Sequence, residues 1–111
     1  MIEVSPEEAE GLASGDGGAF LLDVREDAEV TAGRAPGSVQ VPLGSLPDHV
    51  DDLPADRRIV CICRSGNRSA RAAQYLSQRG LDAVNMSGGM KAWVAAGLEV
   101  ETPAGGPGRV V

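Results

Sequence analysis

Continuous apolar runs of strand length recur along the chain, separated by stretches in which apolar residues fall at helical spacing. Ala19-Phe20-Leu21-Leu22-Asp23-Val24 lacks the alternation of a half-exposed strand, which predicts burial on both faces. Arg58-Ile59-Val60-Cys61-Ile62-Cys63 gives the strongest strand signal. Ser38-Val39-Gln40-Val41, closed by Pro42, and Asp82-Ala83-Val84-Asn85-Met86 give shorter ones.

Helix signals lie between these runs. Ser5 as N-cap, Pro6 at the first helical position and Glu8 three residues after Ser5 form a capping-box pattern, predicting a helix to about Ser14 that Gly15-Asp16-Gly17-Gly18 breaks. Glu26 to Ala32 predicts one or two helical turns, followed by Gly33 and the turn pair Pro36-Gly37. Leu46, Val50 and Leu53 recur at roughly helical spacing, and Pro54 stops that element. Ser69 to Gln78 is rich in helix formers, with Ala72, Ala73, Tyr75 and Leu76 as its buried face and Gly80 at its C-terminal stop. A closing helix over Met90 to Ala96 follows the Gly88-Gly89 turn and ends at Gly97. Strands alternating with helices predict a parallel α/β sheet covered on both faces.

Length and composition narrow this picture. A chain of 111 residues has too little apolar material for two cores. With 42% apolar residues but only 3% aromatic, the interior must be packed from aliphatic side chains around Phe20, Tyr75 and Trp93. The tail Thr102 to Val111, rich in Gly and Pro, is expected to lack fixed structure. No apolar run is long enough for a bilayer and no signal-peptide pattern is present, so a cytoplasmic protein without membrane partners is expected. Cys61 and Cys63 are too close in sequence for an unstrained disulfide and read as thiols.

The net charge of −6 is unevenly held. Residues 1–56 carry thirteen acids against Arg25 and Arg34, whereas residues 57–91 carry six arginines and Lys91 against Asp82 alone. An acidic chain is a poor partner for nucleic acid, yet its basic half can attract a small anion. Ordinary solvated surface charge explains most of the same residues.

The chemistry concentrates where the strongest strand ends. Cys63 opens the loop Cys63-Arg64-Ser65-Gly66-Asn67-Arg68 that leads into a helix, the position at which open α/β sheets hold ligands. Backbone N–H groups of such a loop and of the first helical turn lack intrahelical partners and can converge on an anion. Gly66 permits a sharp backbone path and Asn67 tolerates unusual dihedrals. This setting lowers a cysteine pKa from about 8.5 into the roughly 3.5–7.5 range, so Cys63 is expected to be a thiolate at neutral pH. It could attack the outer sulfur of an anionic donor, and the same N–H ring would hold the anionic persulfide. Arg64 and Arg68 add charge, and Arg68 can grip an oxyanion through two parallel hydrogen bonds.

A buried structural thiol is the plain alternative for Cys63. Cys61 lies inside the strand and reads first as core, then as a resolving thiol on the same face. His49, the single histidine, reads as solvated, leaving no Cys–His dyad. Neither a zinc-ligand spacing nor a phosphate-loop pattern occurs, so no metal or other cofactor is expected.

Four motifs in order give the chain a resemblance to the single-domain rhodanese sulfurtransferases over about residues 2–98. They are Leu21-Leu22-Asp23-Val24-Arg25-Glu26, Gly33-Arg34-Ala35-Pro36-Gly37-Ser38 leading into Val41-Pro42-Leu43-Gly44, the Cys63 loop, and Gly88-Gly89-Met90-Lys91-Ala92-Trp93. The resemblance implies a rhodanese-like three-layer α/β/α fold with a central, mostly parallel five-stranded sheet. It places one domain over residues 1–101, with 102–111 as tail. It makes Cys63 the persulfide carrier and gives Arg64, Ser65, Gly66, Asn67, Arg68 and Ser69 anion and persulfide binding. Asp23 and Arg25 resemble a supporting pair near the active site, and a structural ion pair fixing the strand end is the reading preferred over direct catalysis. Arg34 departs from the pattern, since many relatives have His there.

The activity implied is transfer of sulfane sulfur from a small anionic donor such as thiosulfate to cyanide or a thiol, with a sulfur-relay protein as a further partner. Two other activities belong to the same fold. A cysteine phosphatase or arsenate reductase uses a similar cradle, but the phosphatase relatives have one residue more than the six from Cys63 to Arg68. Non-catalytic docking domains commonly lose the loop cysteine, which this chain keeps.

Overall fold

The computed structural model describes residues 2–14 and 18–111. Strand β1 (Glu3–Val4) leads into helix α1 (Pro6–Ala13), whose capping box forms as its sequence dictates. The Ser5 N–H donates to Glu8 Oε1 at 2.9 Å, and the Glu8 N–H donates to Ser5 Oγ at 3.1 Å. Of the glycine-rich break expected after α1, residues 15–17 lie outside the described residues.

Strand β2 (Phe20–Asp23), helix α2 (Asp27–Ala32) and strand β3 (Val39–Gln40) follow, each within the segment predicted for it. The Leu46/Val50/Leu53 segment is not α-helical. It forms two 3₁₀ stretches, Leu43–Asp48 and Val50–Asp52, because Pro47 inside the first has no N–H to give and its ring blocks a continuous α-helix. Strand β4 (Ile59–Ile62), helix α3 (Asn67–Gln78), strand β5 (Ala83–Met86) and helix α4 (Gly89–Ala95) complete the order.

The five strands pair in the order β1-β5-β4-β2-β3, and every pairing is parallel. This is the rhodanese-type α/β sheet expected, with no antiparallel strand in it. The two-residue β1 was too short to leave a pattern in the sequence. Strand β4 is central, flanked by β2 and β5, and all four of its residues are buried.

Because side chains alternate along a strand, β4 feeds two cores. Ile59, Cys61 and Cys63 pack with Leu22, Leu46, Ala72, Ala73 and Leu76 under α3. Val60 and Ile62 pack with Ala9, Leu21, Val84, Met90 and Trp93 under α1 and α4. Three layers result, and the loop that begins at Cys63 emerges from the middle of the middle one.

The tail differs from its expected disorder. Residues 98–111 form a strap that returns over α2 and α4: Arg34 and Glu101 exchange backbone hydrogen bonds at 2.7 and 2.9 Å, and the Arg109 N–H donates to Ala32 O at 2.9 Å. Leu98, Val100 and Val110 pack against the Trp93 core. The Gly-rich composition serves close approach here, since a Cβ on Gly108 would lie 2.8 Å from the Gly33 Cα. Among the described residues no helix is long and apolar enough to cross a membrane.

Candidate active site

Helix α3 starts at Asn67, two residues before its predicted start, because Gly66 takes φ 104° and turns the chain directly into the helix. Asn67, Arg68 and Ser69 are therefore the first helical turn rather than loop. No side chain caps this end, which leaves the first N–H groups of α3 available to another acceptor.

That acceptor is the Cys63 sulfur. The Gly66 N–H donates to Sγ at 3.0 Å and the Ser69 hydroxyl lies 3.2 Å from it. Cys63 is only 1% exposed. Burial alone would push its thiol up, but hydrogen bonds from the Ser69 hydroxyl and from the backbone of Ser69, Gly66 and Ser65 outweigh it and hold the pKa below the ordinary thiol value. Cys61, two residues earlier on the same strand face, has no such donors. Burial first, and then the charge of Cys63, push it up to about 12. It is an inert core thiol by its surroundings, and both cysteines are free.

The cradle is braced by a residue that sequence reasoning passed over. Asn85, 1% exposed on β5, donates from Nδ2 to Gly66 O at 3.1 Å and to Glu3 Oε2 at 2.8 Å, and its Oδ1 lies 2.6 Å from the Ser69 hydroxyl. One amide thus ties β5 and its sheet neighbour β1, the last and first strands along the chain, to both donors that face the sulfur. The available signal was an Asn within an apolar strand, where it must have partners to be tolerated.

Arg68 is placed differently from its expected role. Its guanidinium is already engaged by Glu29 of α2, Nη1 to Oε1 at 2.7 Å and Nη2 to Oε2 at 2.8 Å. The bidentate capacity read from the sequence is spent within the chain, locking α2 to the first turn of α3. Glu29 was not foreseen, since nothing local distinguishes it from its acidic neighbours.

Asp23 and Arg25 meet as a buried ion pair at the end of β2. Arg25 Nη2 reaches Asp23 Oδ2 at 2.8 Å and Gly33 O at 2.8 Å, and Nε reaches Oδ1 at 3.0 Å. Neither contacts the sulfur; the pair joins the strand end to the turn after α2. Arg34 lies at the strap, 3.8 Å from Glu101, away from the cradle. His49 is half exposed beside Asp52. Gly89, at φ 60°, lies so close to the Cys63 and Arg64 carbonyl groups that a Cβ could not fit.

Residues 5–96 match the rhodanese-like domain family. The chain belongs to that family. Rhodanese-like relatives include a sulfurtransferase of Allochromatium vinosum, 40% identical over 87 residues covering 78% of this chain and 81% of that one. The Bacillus subtilis protein YtwF, which carries a sulfurtransferase name, is 45% identical over 74 residues, covering 67% and 72%. The crystal structure of a rhodanese-related protein from Thermoplasma volcanium superposes with a TM-score of 0.80 at 31% identity, covering 90% of this chain and 97% of that one. These relatives support a rhodanese-type sulfurtransferase role for the chain.

Proposed function

We propose that the protein moves sulfane sulfur from an anionic donor such as thiosulfate to cyanide or a thiol, through a persulfide on Cys63. The observation that carries this reading is the Cys63 sulfur itself, with Gly66 N–H 3.0 Å away, the Ser69 hydroxyl 3.2 Å away, and its pKa held down. The Cys63 thiolate attacks the outer sulfur of thiosulfate, whose sulfur–sulfur bond breaks and whose electron pair leaves with sulfite. The persulfide keeps one negative charge, which the same donors of Ser65, Gly66 and Ser69 can hold. An acceptor then takes the outer sulfur and the thiolate returns.

In this reading Arg64 supplies charge at the mouth, Asn67 and Arg68 supply the first helical turn, and Asp23 and Arg25 support the strand end. Arg68 acts on the donor as a fixed charge with its fork held by Glu29. That engagement also weighs against a phosphatase or arsenate reductase, whose oxyanion would need those hydrogen bonds. Retention of the loop cysteine in a polarising cradle weighs against a pure docking domain. Two free thiols and a redox-dependent sulfur fit a reducing, cytoplasmic setting.

Incubation with thiosulfate should add the mass of one sulfur atom to Cys63, removable by cyanide or a thiol and absent in Cys63→Ser. An unmodified Cys63 after exposure to several sulfur donors, or phosphatase activity lost in Cys63→Ser, would overturn the assignment.

A further inference from the structure

The strap of residues 98–111 closes a groove of about 530 Å³ against α4. Val94, Leu98 and Val100 form its apolar wall, the cations Arg64, Lys91 and Arg109 stand around it, and among the described residues no acidic side chain lines it. Among the described residues Lys91 and Arg109 have no ion-pair partner, whereas Arg34, Arg58 and Arg68 each have one. The chain is acidic overall, so three cations gathered around one apolar groove make a locally basic surface. Such a groove raises the local concentration of anions, and its apolar wall favours those with a carbon skeleton.

The groove adjoins the reactive loop. Arg64 belongs to both, and its Nε donates to the backbone oxygen of Val111 at 2.9 Å, so an oxygen acceptor is already seated at this point. The Lys91 N–H donates to Arg64 O at 3.0 Å and the Met90 N–H to Cys63 O at 2.8 Å, which bonds the groove wall to the loop backbone.

We propose that this groove binds the carboxylates of a low-molecular-weight organic thiol and presents its thiolate to the Cys63 loop as sulfur acceptor. The proposal rests on the persulfide reading of Cys63. In the transfer, the acceptor thiolate bonds to the outer sulfur of the Cys63 persulfide. The bond between that sulfur and Sγ breaks, and its electron pair stays on Sγ, regenerating the Cys63 thiolate beside a product persulfide. Cyanide and uncharged thiols discharge the same persulfide without using the groove.

The test compares mercaptosuccinate with 2-mercaptoethanol as acceptors for thiosulfate-loaded protein, in the unaltered chain and in Lys91→Gln and Arg109→Gln. Each substitution should raise the KM for mercaptosuccinate about fivefold at low salt, the scale of one exposed charge pair. The KM for 2-mercaptoethanol should stay within about twofold, and added salt should shrink the difference. Equal effects on the two thiols, or an unchanged KM for mercaptosuccinate, would overturn the proposal. Titration calorimetry of mercaptosuccinate onto Cys63→Ser reads the groove without turnover. Binding weakened by Arg109→Gln supports the groove and binding indifferent to it sinks the groove. A failure of thiosulfate to load the protein strikes the persulfide reading alone.

Discussion

The Ser69 hydroxyl lies 3.2 Å from the Cys63 sulfur and 2.6 Å from Asn85 Oδ1, yet it has a single hydrogen to give. Asn85 Nδ2 faces two oxygen acceptors, Glu3 Oε2 and Gly66 O, so its Oδ1 must be the end that faces Ser69. With Cys63 protonated, the Ser69 hydrogen goes to Asn85. With Cys63 ionised, it can turn to the sulfur, and the charge on the sulfur decides between them.

Ser69→Ala should therefore raise the Cys63 pKa. A lowered pKa means that the thiolate is populated from a lower pH, so losing a donor moves both thiolate absorbance and loading rate to higher pH. The measurement is a pH titration of the thiolate ultraviolet band in both proteins. Superimposable curves would show that Ser69 does not tune the sulfur.

Asp23→Asn tests whether the β2 pair is structural. It would leave the Arg25 guanidinium, 0% exposed, without its counter-charge, which costs about 3 kcal/mol or more. Urea unfolding should show that loss, while persulfide loading per folded molecule stays unchanged. Lost loading in folded protein would place the pair in the chemistry instead.

Glu29 carries a pH signature. The Arg68 fork, first among its influences, holds its carboxyl down to about 2 against the opposing effect of burial. A carboxyl whose pKa falls on folding stabilises only while ionised. Its contribution stands at neutral pH and fades as pH drops from the ordinary carboxylate range toward 2. The stability gap between the natural chain and Glu29→Gln should follow that course. Water at the one-third-exposed Arg68 keeps the gap near about 1 kcal/mol. A pH-independent gap would mean that the fork contributes packing rather than charge.

Cys61 should be silent. With its pKa pushed up to about 12, iodoacetamide at neutral pH should label Cys63 and leave Cys61 unlabelled in folded protein. Cys61→Ala should keep full persulfide loading and lose about 1 kcal/mol of stability to the vacated volume. Loss of loading in that variant would give Cys61 a part in the sulfur cycle.

The sequence by itself determined the alternating strands and helices, the capping box at Ser5, the strand over Ile59 to Ile62 and the thiol at its end, because each rests on patterns within a few residues. Local pattern also exposed the Gly66 turn that aims the first N–H groups of α3 at Cys63. Tertiary structure alone decided what the side chains do across the fold. Arg68 was legible as a charged fork, but its partner Glu29 comes from another helix 39 residues away. Asn85 was visible as an Asn in an apolar strand, but its bonds reach Ser69, Gly66 and Glu3 on other elements. The tail looked structureless because its few apolar residues, Val110 among them, find an apolar surface only once α4 and Trp93 have formed it. Periodicity records which face of an element is buried; which residue meets it there depends on pairings distant in sequence.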